Sequence, residues 1–265
     1  MSRPLRVLVT NDDGWESRGI RALAAAVVGQ GHTAIVVAPT RDRSGASAAI
    51  GPLHQAGTIP FEEHAWPDLP GVRVLAIDAP PATAVYAAVL GGFGDPPDVV
   101  ASGVNPGANT GHLVLHSGTV GAALSAAALG VPAIATSVAW NADERHHFDT
   151  AATLAAAALE WVVAAPDAEP RILNINAPDC PAHEVRDVRE AGLAPYGEFW
   201  VANADTATGD LKIEFKGSEH EPDPDTDLAL VRDGFATVTP LHGIERAGIA
   251  GAADTILETW KPARR

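Results

Sequence analysis

An α/β fold, with a mostly parallel sheet covered by helices on both faces, is what this sequence predicts, and three observations carry it. Short valine-rich runs, flanked by polar or glycine-rich turns, recur along residues 1–178. Stretches with helical spacing of apolar residues separate those runs. Strict strand–helix alternation implies right-handed crossovers, which lay successive strands parallel and put the helices on the two faces.

The elements follow in order. Residues 6–10 (RVLVT) read as a buried strand that stops at the polar cluster 11–14. Residues 18–29 place Ile20, Leu23, Ala24, Val27 and Val28 on one helix face and end in glycine. Residues 33–39 (TAIVVAP) are the next strand, 81–90 a helix, and 98–102 (DVVAS) a third core strand. A helix over 119–129, a strand over 132–137, an alanine-rich helix over 149–164 and a strand over 171–176 complete the series. Past residue 178, proline, glycine and acidic residues multiply. Strands with a period of two are expected there at 211–216 and 235–240, with a loop over 220–227 between them. The expected organisation is a core over 1–178, with a β-like insertion at 50–77. A β-rich extension over 179–265 would serve as an oligomerisation arm.

Composition narrows the function classes. A hydrophobic fraction of 46% in 265 residues supports a buried core and excludes a disordered chain. The formal charge of −15, from 18 basic and 33 acidic residues, repels nucleic-acid backbones and anionic membranes. Handling a small phosphate ester in such a field needs compact local positive charge, which a metal ion supplies. Cys180 is the only cysteine, so no intramolecular disulfide forms. With no signal peptide and no membrane-spanning run in the sequence, a cytoplasmic location is expected.

Four polar clusters fall at the carboxyl ends of expected strands, where open parallel sheets bind ligands. Asp12 and Asp13 repel each other unless a hard cation or a helix start takes them up; read alone, the helix cap comes first. Ser44, between Arg43 and Gly45, is either a turn serine or an oxygen donor to a metal or phosphate. In GVNPGANTG (103–111), three glycines at a spacing of four let the backbone approach a ligand, and Asn105 offers a neutral carbonyl oxygen. The segment fits neither the Walker A loop nor the dinucleotide glycine fingerprint. Ser117, Gly118 and Thr119 open a helix, where amides, hydroxyls and the helix dipole suit a phosphate. His146 and His147 have no metal-binding spacing, and Asp223, Asp225 and Asp227 read as a solvated turn.

Taken together, RVLVTNDDG at 6–14, APTRDRSGAS at 38–47 and SGVNPGANTG followed by HSGTVGAA at 102–123 resemble the SurE (survival protein E) family of 5′/3′-nucleotidases. LNINAP at 173–178 and DTDLALVRDGFATVTPL at 225–241 extend the resemblance over most of the chain. It implies a Rossmann-like core with a β-rich extension, forming homodimers or homotetramers. It also implies a metal-dependent phosphomonoesterase acting on nucleoside monophosphates. By the same resemblance Asp12, Asp13, Ser44 and Asn105 hold one divalent ion, Mg2+ or Mn2+. Ser117, Gly118 and Thr119, with Asn109, bind the substrate phosphate, and Asp12, Asn11 and Ser117 are the catalytic candidates. The chain departs from the family pattern at Asp78–Ala79–Pro80–Pro81, where Gly-Thr-Pro is usual, at Pro106, and at His112–Leu113. Those departures bear on substrate preference, so a phosphatase for another phosphorylated pathway intermediate stays open. A nucleotide-binding module without turnover is the third reading.

Overall fold

The computed structural model describes residues 3–51, 57–143, 146–164, 172–197 and 221–243, and the backbone of 199–205 and 212–217. Residues 52–56 of the expected insertion, and 198, 206–211, 218–220 and 244–265 of the expected extension, lie outside the described residues. In chain order the strands are β1 (Arg6–Thr10), β2 (Thr33–Pro39), β3 (Phe61–His64), β4 (Arg73–Ile77), β5 (Val99–Pro106), β6 (Ala133–Val138) and β7 (Ile172–Ala177). β8 (Val188–Glu190), β9 (Phe199–Asp205), β10 (Lys212–Gly217) and β11 (Ala236–Leu241) follow. The helices are α1 (Arg18–Gly29), α2 (Pro81–Val89), α3 (Gly118–Ala128), α4 (Phe148–Val163) and α5 (Asp227–Arg232).

Among the described residues, nine strands form one sheet in the order β3-β4-β2-β1-β5-β6-β7-β11-β8. β4, β2, β1, β5, β6 and β7 run parallel; β3 and β11 are antiparallel to their inner neighbours. β1 shows why its central three residues are all apolar. Val7 and Val9 join the layer of α1 and α4, while Leu8 joins that of α2 and α3, and all three are fully buried. Each such side chain contributes on the order of 1.5–3 kcal/mol by leaving water.

Small residues set the helix spacing. Gly19 in α1 faces β5 so closely that a Cβ there would lie 1.9 Å from the Val104 carbonyl oxygen. At Gly121 in α3, a Cβ would meet the Ser47 backbone at 2.2 Å. Ser17 caps α1, accepting the Ile20 N–H, and Ser117 caps α3. Pro81 at the first position of α2 gives up an N–H that the helix would leave unpaired anyway.

From β1 the chain winds outward through β2 to β4, then returns and winds the other way through β5, β6 and β7. The reversal lies between β1 and β5, and their carboxyl ends carry the Asn11–Gly14 and Gly103–Gly111 segments.

The structure redraws two expected segments. β4, inside the stretch read as an insertion, is a parallel core strand paired with β2, and β3 extends the sheet edge beyond it. β11 and β8, from the stretch read as an extension, add to the core sheet beside β7. β11 joins by antiparallel backbone pairing with β7, some sixty residues away in sequence, which local patterning cannot reveal. β9 and β10 alone form a separate two-stranded antiparallel sheet. Among the described residues, no helix is long and apolar enough to cross a membrane.

Candidate active site at the carboxyl ends of β1 and β5

Asp12 lies two residues past the end of β1 and is 2% exposed. Its Oδ2 accepts the Gly118 N–H at 3.1 Å, and its Oδ1 accepts the Thr119 hydroxyl at 2.5 Å. Its backbone carbonyl accepts the Arg43 N–H at 2.7 Å. One residue thus ties the loop after β1 to the loop after β2 and to the start of α3. Gly118 permits the approach, because a Cβ there would lie 2.6 Å from Asp12 Oδ2. Asn11 shapes the exit into α1 by donating from Nδ2 to the Gly14 carbonyl (3.0 Å) and to Ser17 Oγ (2.8 Å).

Asp13 is the electrostatic anomaly. Its Oδ2 is buried without a hydrogen-bond partner. Burial, with the nearby charges of Asp12 and Asp42 adding to it, pushes its carboxyl up to about 8. Burial raises Asp12 as well; the Thr119 hydroxyl and the Gly118 amide oppose that rise and Asp42 adds to it.

The other expected ligands flank this pair. Ser44 is exposed, and both its N–H (2.7 Å) and its hydroxyl (2.6 Å) donate to Asp42 Oδ1. The serine's proton is thereby turned to Asp42, leaving its oxygen lone pairs for a cation. Asn105 donates from Nδ2 to the Gly107 carbonyl at 2.7 Å, which leaves its Oδ1 as an acceptor. β1–β5 pairing, with Thr10 opposite Ser102, and the Gly19–Val104 contact bring the Asn105 segment alongside the start of α1.

These four residues supply two carboxylates, a hydroxyl and an amide carbonyl, a donor set that suits a hard divalent ion. Among the described residues there is no group of three or more His, Cys, Asp and Glu placed to hold a metal. A set in which half the donors are neutral oxygens would not register as one. The buried orphan oxygen of Asp13 and the mutual repulsion of the carboxylates are what a bound cation relieves, so the residues fit one.

The Survival protein SurE family model matches residues 7–197. The chain belongs to the SurE family. A 5′-nucleotidase SurE of Alkalilimnicola ehrlichii is 39% identical over 244 residues, covering 90% of this chain and 89% of that protein. One of Stenotrophomonas maltophilia is 37% identical over 248 residues, 90% of each. The crystal structure of SurE from Aquifex aeolicus aligns with a TM-score of 0.72 at 27% identity, over 96% of this chain and 97% of that one.

In this SurE-family chain the residues expected to bind substrate also have partners within the protein. Ser117 Oγ accepts the Val120 N–H at 3.1 Å as a helix cap. The Gly118 amide and Thr119 hydroxyl face Asp12. The partial positive charge at the start of α3, where a phosphate is expected, also faces the protein's own carboxylate. Asn109 is a strut: its N–H donates to Asn176 Oδ1, its Nδ2 to Ser137 Oγ, and its carbonyl accepts from Asn174 and Asn176. His146 and His147, at the end of the β6–α4 connection, face Asp179.

Sequence reasoning passed over Asp42, whose only signal was that it is the one carboxylate within TRDRSGAS. It also read Asp227 as solvated, and the structure corrects this. Asp227 is fully buried and accepts the N–H groups of Gly111 (2.9 Å), Ala194 (2.9 Å) and Leu228 (2.8 Å). It anchors the end of the Asn105-bearing loop to the C-terminal segment. Burial raises its carboxyl and those three N–H groups counter the rise. Asp227→Asn turns an amide N–H against a backbone donor, which is expected to cost about 2–4 kcal/mol. Thermal unfolding checks this, and Asp227→Asn unfolding at the wild-type temperature would contradict the anchoring role.

Proposed function

We propose that this SurE-family protein is a divalent-metal-dependent phosphomonoesterase that removes phosphate from nucleoside monophosphates. The observation that carries it is the carboxylate pair of buried Asp12 and half-buried Asp13, whose Oδ2 is buried without a partner, at the switch point of a parallel sheet. Relatives named 5′-nucleotidase at 37–39% identity give the reaction class. Asp12, Asp13, Ser44 and Asn105 would hold the ion, Mg2+ or Mn2+. When bound, it supplies positive charge against the phosphoryl oxygens, which the net charge of −15 would otherwise repel.

The chain's own groups do the positioning. Thr119 and Gly118 fix both oxygens of Asp12. So engaged, Asp12 orients an attacking water better than it attacks phosphorus itself. Asn11 holds the turn behind it, and the Ser117 hydroxyl keeps a proton to donate to a phosphate oxygen while its oxygen caps α3. Rapid quench during turnover is expected to trap no phospho-enzyme; a labelled Asp12 would reverse the roles of water and carboxylate.

A second reading, a phosphatase for another phosphorylated small molecule, draws on Asp78. Its carboxylate takes Arg43 at 2.5 Å and has Arg41 at 3.7 Å, tying up two cations beside the site. Phosphate release from a panel of nucleoside monophosphates and sugar phosphates separates the readings. Nucleotides are expected to lead, and a sugar phosphate turning over faster would favour the second.

We further place the β9–β10 ribbon as the arm of a homodimer or homotetramer, since an isolated two-stranded sheet is marginal in water without a partner. Cytoplasmic placement is supported by the single, unpaired Cys180. Light scattering of the full chain tests the assembly, and a monomer at micromolar concentration would remove the arm's role.

A further inference from the structure

Beside the candidate site, a cleft of about 600 Å³ opens between the β6–α4 connection, the segment after β7 and helix α5. Its volume is in the range of small-molecule sites. Ala108, three residues past Asn105 of β5, forms part of one wall, next to Trp140. Trp140 is 49% exposed, a large aromatic left at the surface just past the end of β6. Its ring is backed by the buried His146, tilted at 5.7 Å between centroids. An indole held from behind and open in front is a stacking platform.

The indole stands next to the proposed metal ligand. A Cβ built on Gly107 would lie 4.0 Å from Trp140 Cε3 and 3.8 Å from Asn105 Nδ2. The absence of a side chain at Gly107 (φ +114°) keeps the passage between the two clear. A phosphate near Asn105 and a ring on Trp140 are therefore separated by little more than one glycine.

We propose that this cleft is the nucleobase subsite, with Trp140 as the surface on which the base of a nucleoside monophosphate stacks; this rests on the phosphomonoesterase reading above. Stacking uses the π-face that every base has, so Trp140 provides affinity for bases as a class, strongest for the larger purines. Asn141 and Asp179 on the cleft wall place polar atoms beside the ring, although Asn141 also accepts the Asp143 N–H and Asp179 the His147 N–H. Trp140 is a specificity-determining residue and takes no part in phosphoryl transfer.

The test compares wild type, Trp140→Ala and Trp140→Phe on adenosine 5′-monophosphate and ribose 5-phosphate, with Mn2+ present. For Trp140→Ala, KM for the nucleotide is expected to rise about tenfold with kcat held within about twofold. The preference for the nucleotide over the sugar phosphate, as a ratio of kcat/KM, falls about tenfold, and Trp140→Phe restores most of it. An unchanged ratio in Trp140→Ala overturns the proposal, whether both substrates lose equally or neither loses. Adenosine alone gives a readout independent of turnover. Wild type is expected to bind it by calorimetry and Trp140→Ala to lose that binding, and no binding by wild type also overturns the subsite. Should wild type bind adenosine yet release phosphate from neither ester, the subsite stands and the phosphatase reading falls.

Discussion

Asp12→Asn is expected to lower phosphate release by about a thousandfold while leaving the fold in place. Asn has the size and shape of Asp, so the tie between β1, the Arg43 loop and α3 loses little packing. Chemically the change is severe. One oxygen of Asp12 accepts from Gly118 and the other from Thr119. An amide can serve only one of these donors and turns its own N–H toward the other. It also removes one of the two carboxylates offered to a cation. The measurement is kcat on a nucleoside monophosphate beside a circular dichroism spectrum and a melting curve. Wild-type kcat in Asp12→Asn would remove this residue from the reaction, and a collapsed spectrum would make its role structural.

Asp13→Asn is expected to separate stability from function. In the metal-free protein, burial and the neighbouring Asp12 and Asp42 raise the Asp13 carboxyl from 3.8 to about 8. Between those values the unfolded chain releases this proton and the folded chain keeps it, so stability falls as pH rises through that window and levels off above it. Asn carries no proton to lose. Metal-free Asp13→Asn and wild type should therefore melt together near pH 4. By pH 9 the variant should melt higher, by about 5 °C or more. A divalent ion reverses the order, since wild type gains stability from binding and the variant has lost a ligand. Equal melting of the metal-free proteins at pH 9 would show that Asp13 is neither crowded nor poised for a cation.

Local patterning made most of the core legible. β1, β2, α1 and α4 follow from apolar runs and helical spacing, and the strand-end clusters were visible because polar residues interrupt those runs abruptly. What escaped was non-local. β4 and β11 join the sheet through partners that no local window contains. α5 has only six residues and no side-chain cap, too little for a periodic signal. Asp227 sits among exposed acidic residues in sequence, yet its burial is decided by three backbone amides, two of them from distant loops. Ser117, Gly118 and Thr119 were legible as a helix start, but a sequence does not show that Asp12 bonds to Gly118 and Thr119 there. The bonds that Asn109 makes to Asn174, Asn176 and Ser137 were likewise hidden, because those residues lie on two other strands.

All of this converges on oxygen atoms from the ends of β1, β2 and β5 seating one hard cation. Phosphate release from a nucleoside monophosphate by the full chain, first dialysed against chelator and then resupplied with Mg2+ or Mn2+, tests that claim most directly. Release is expected to vanish without the ion and to return with it in wild type, and to stay absent in Asp13→Asn. Undiminished turnover in excess chelator would contradict it.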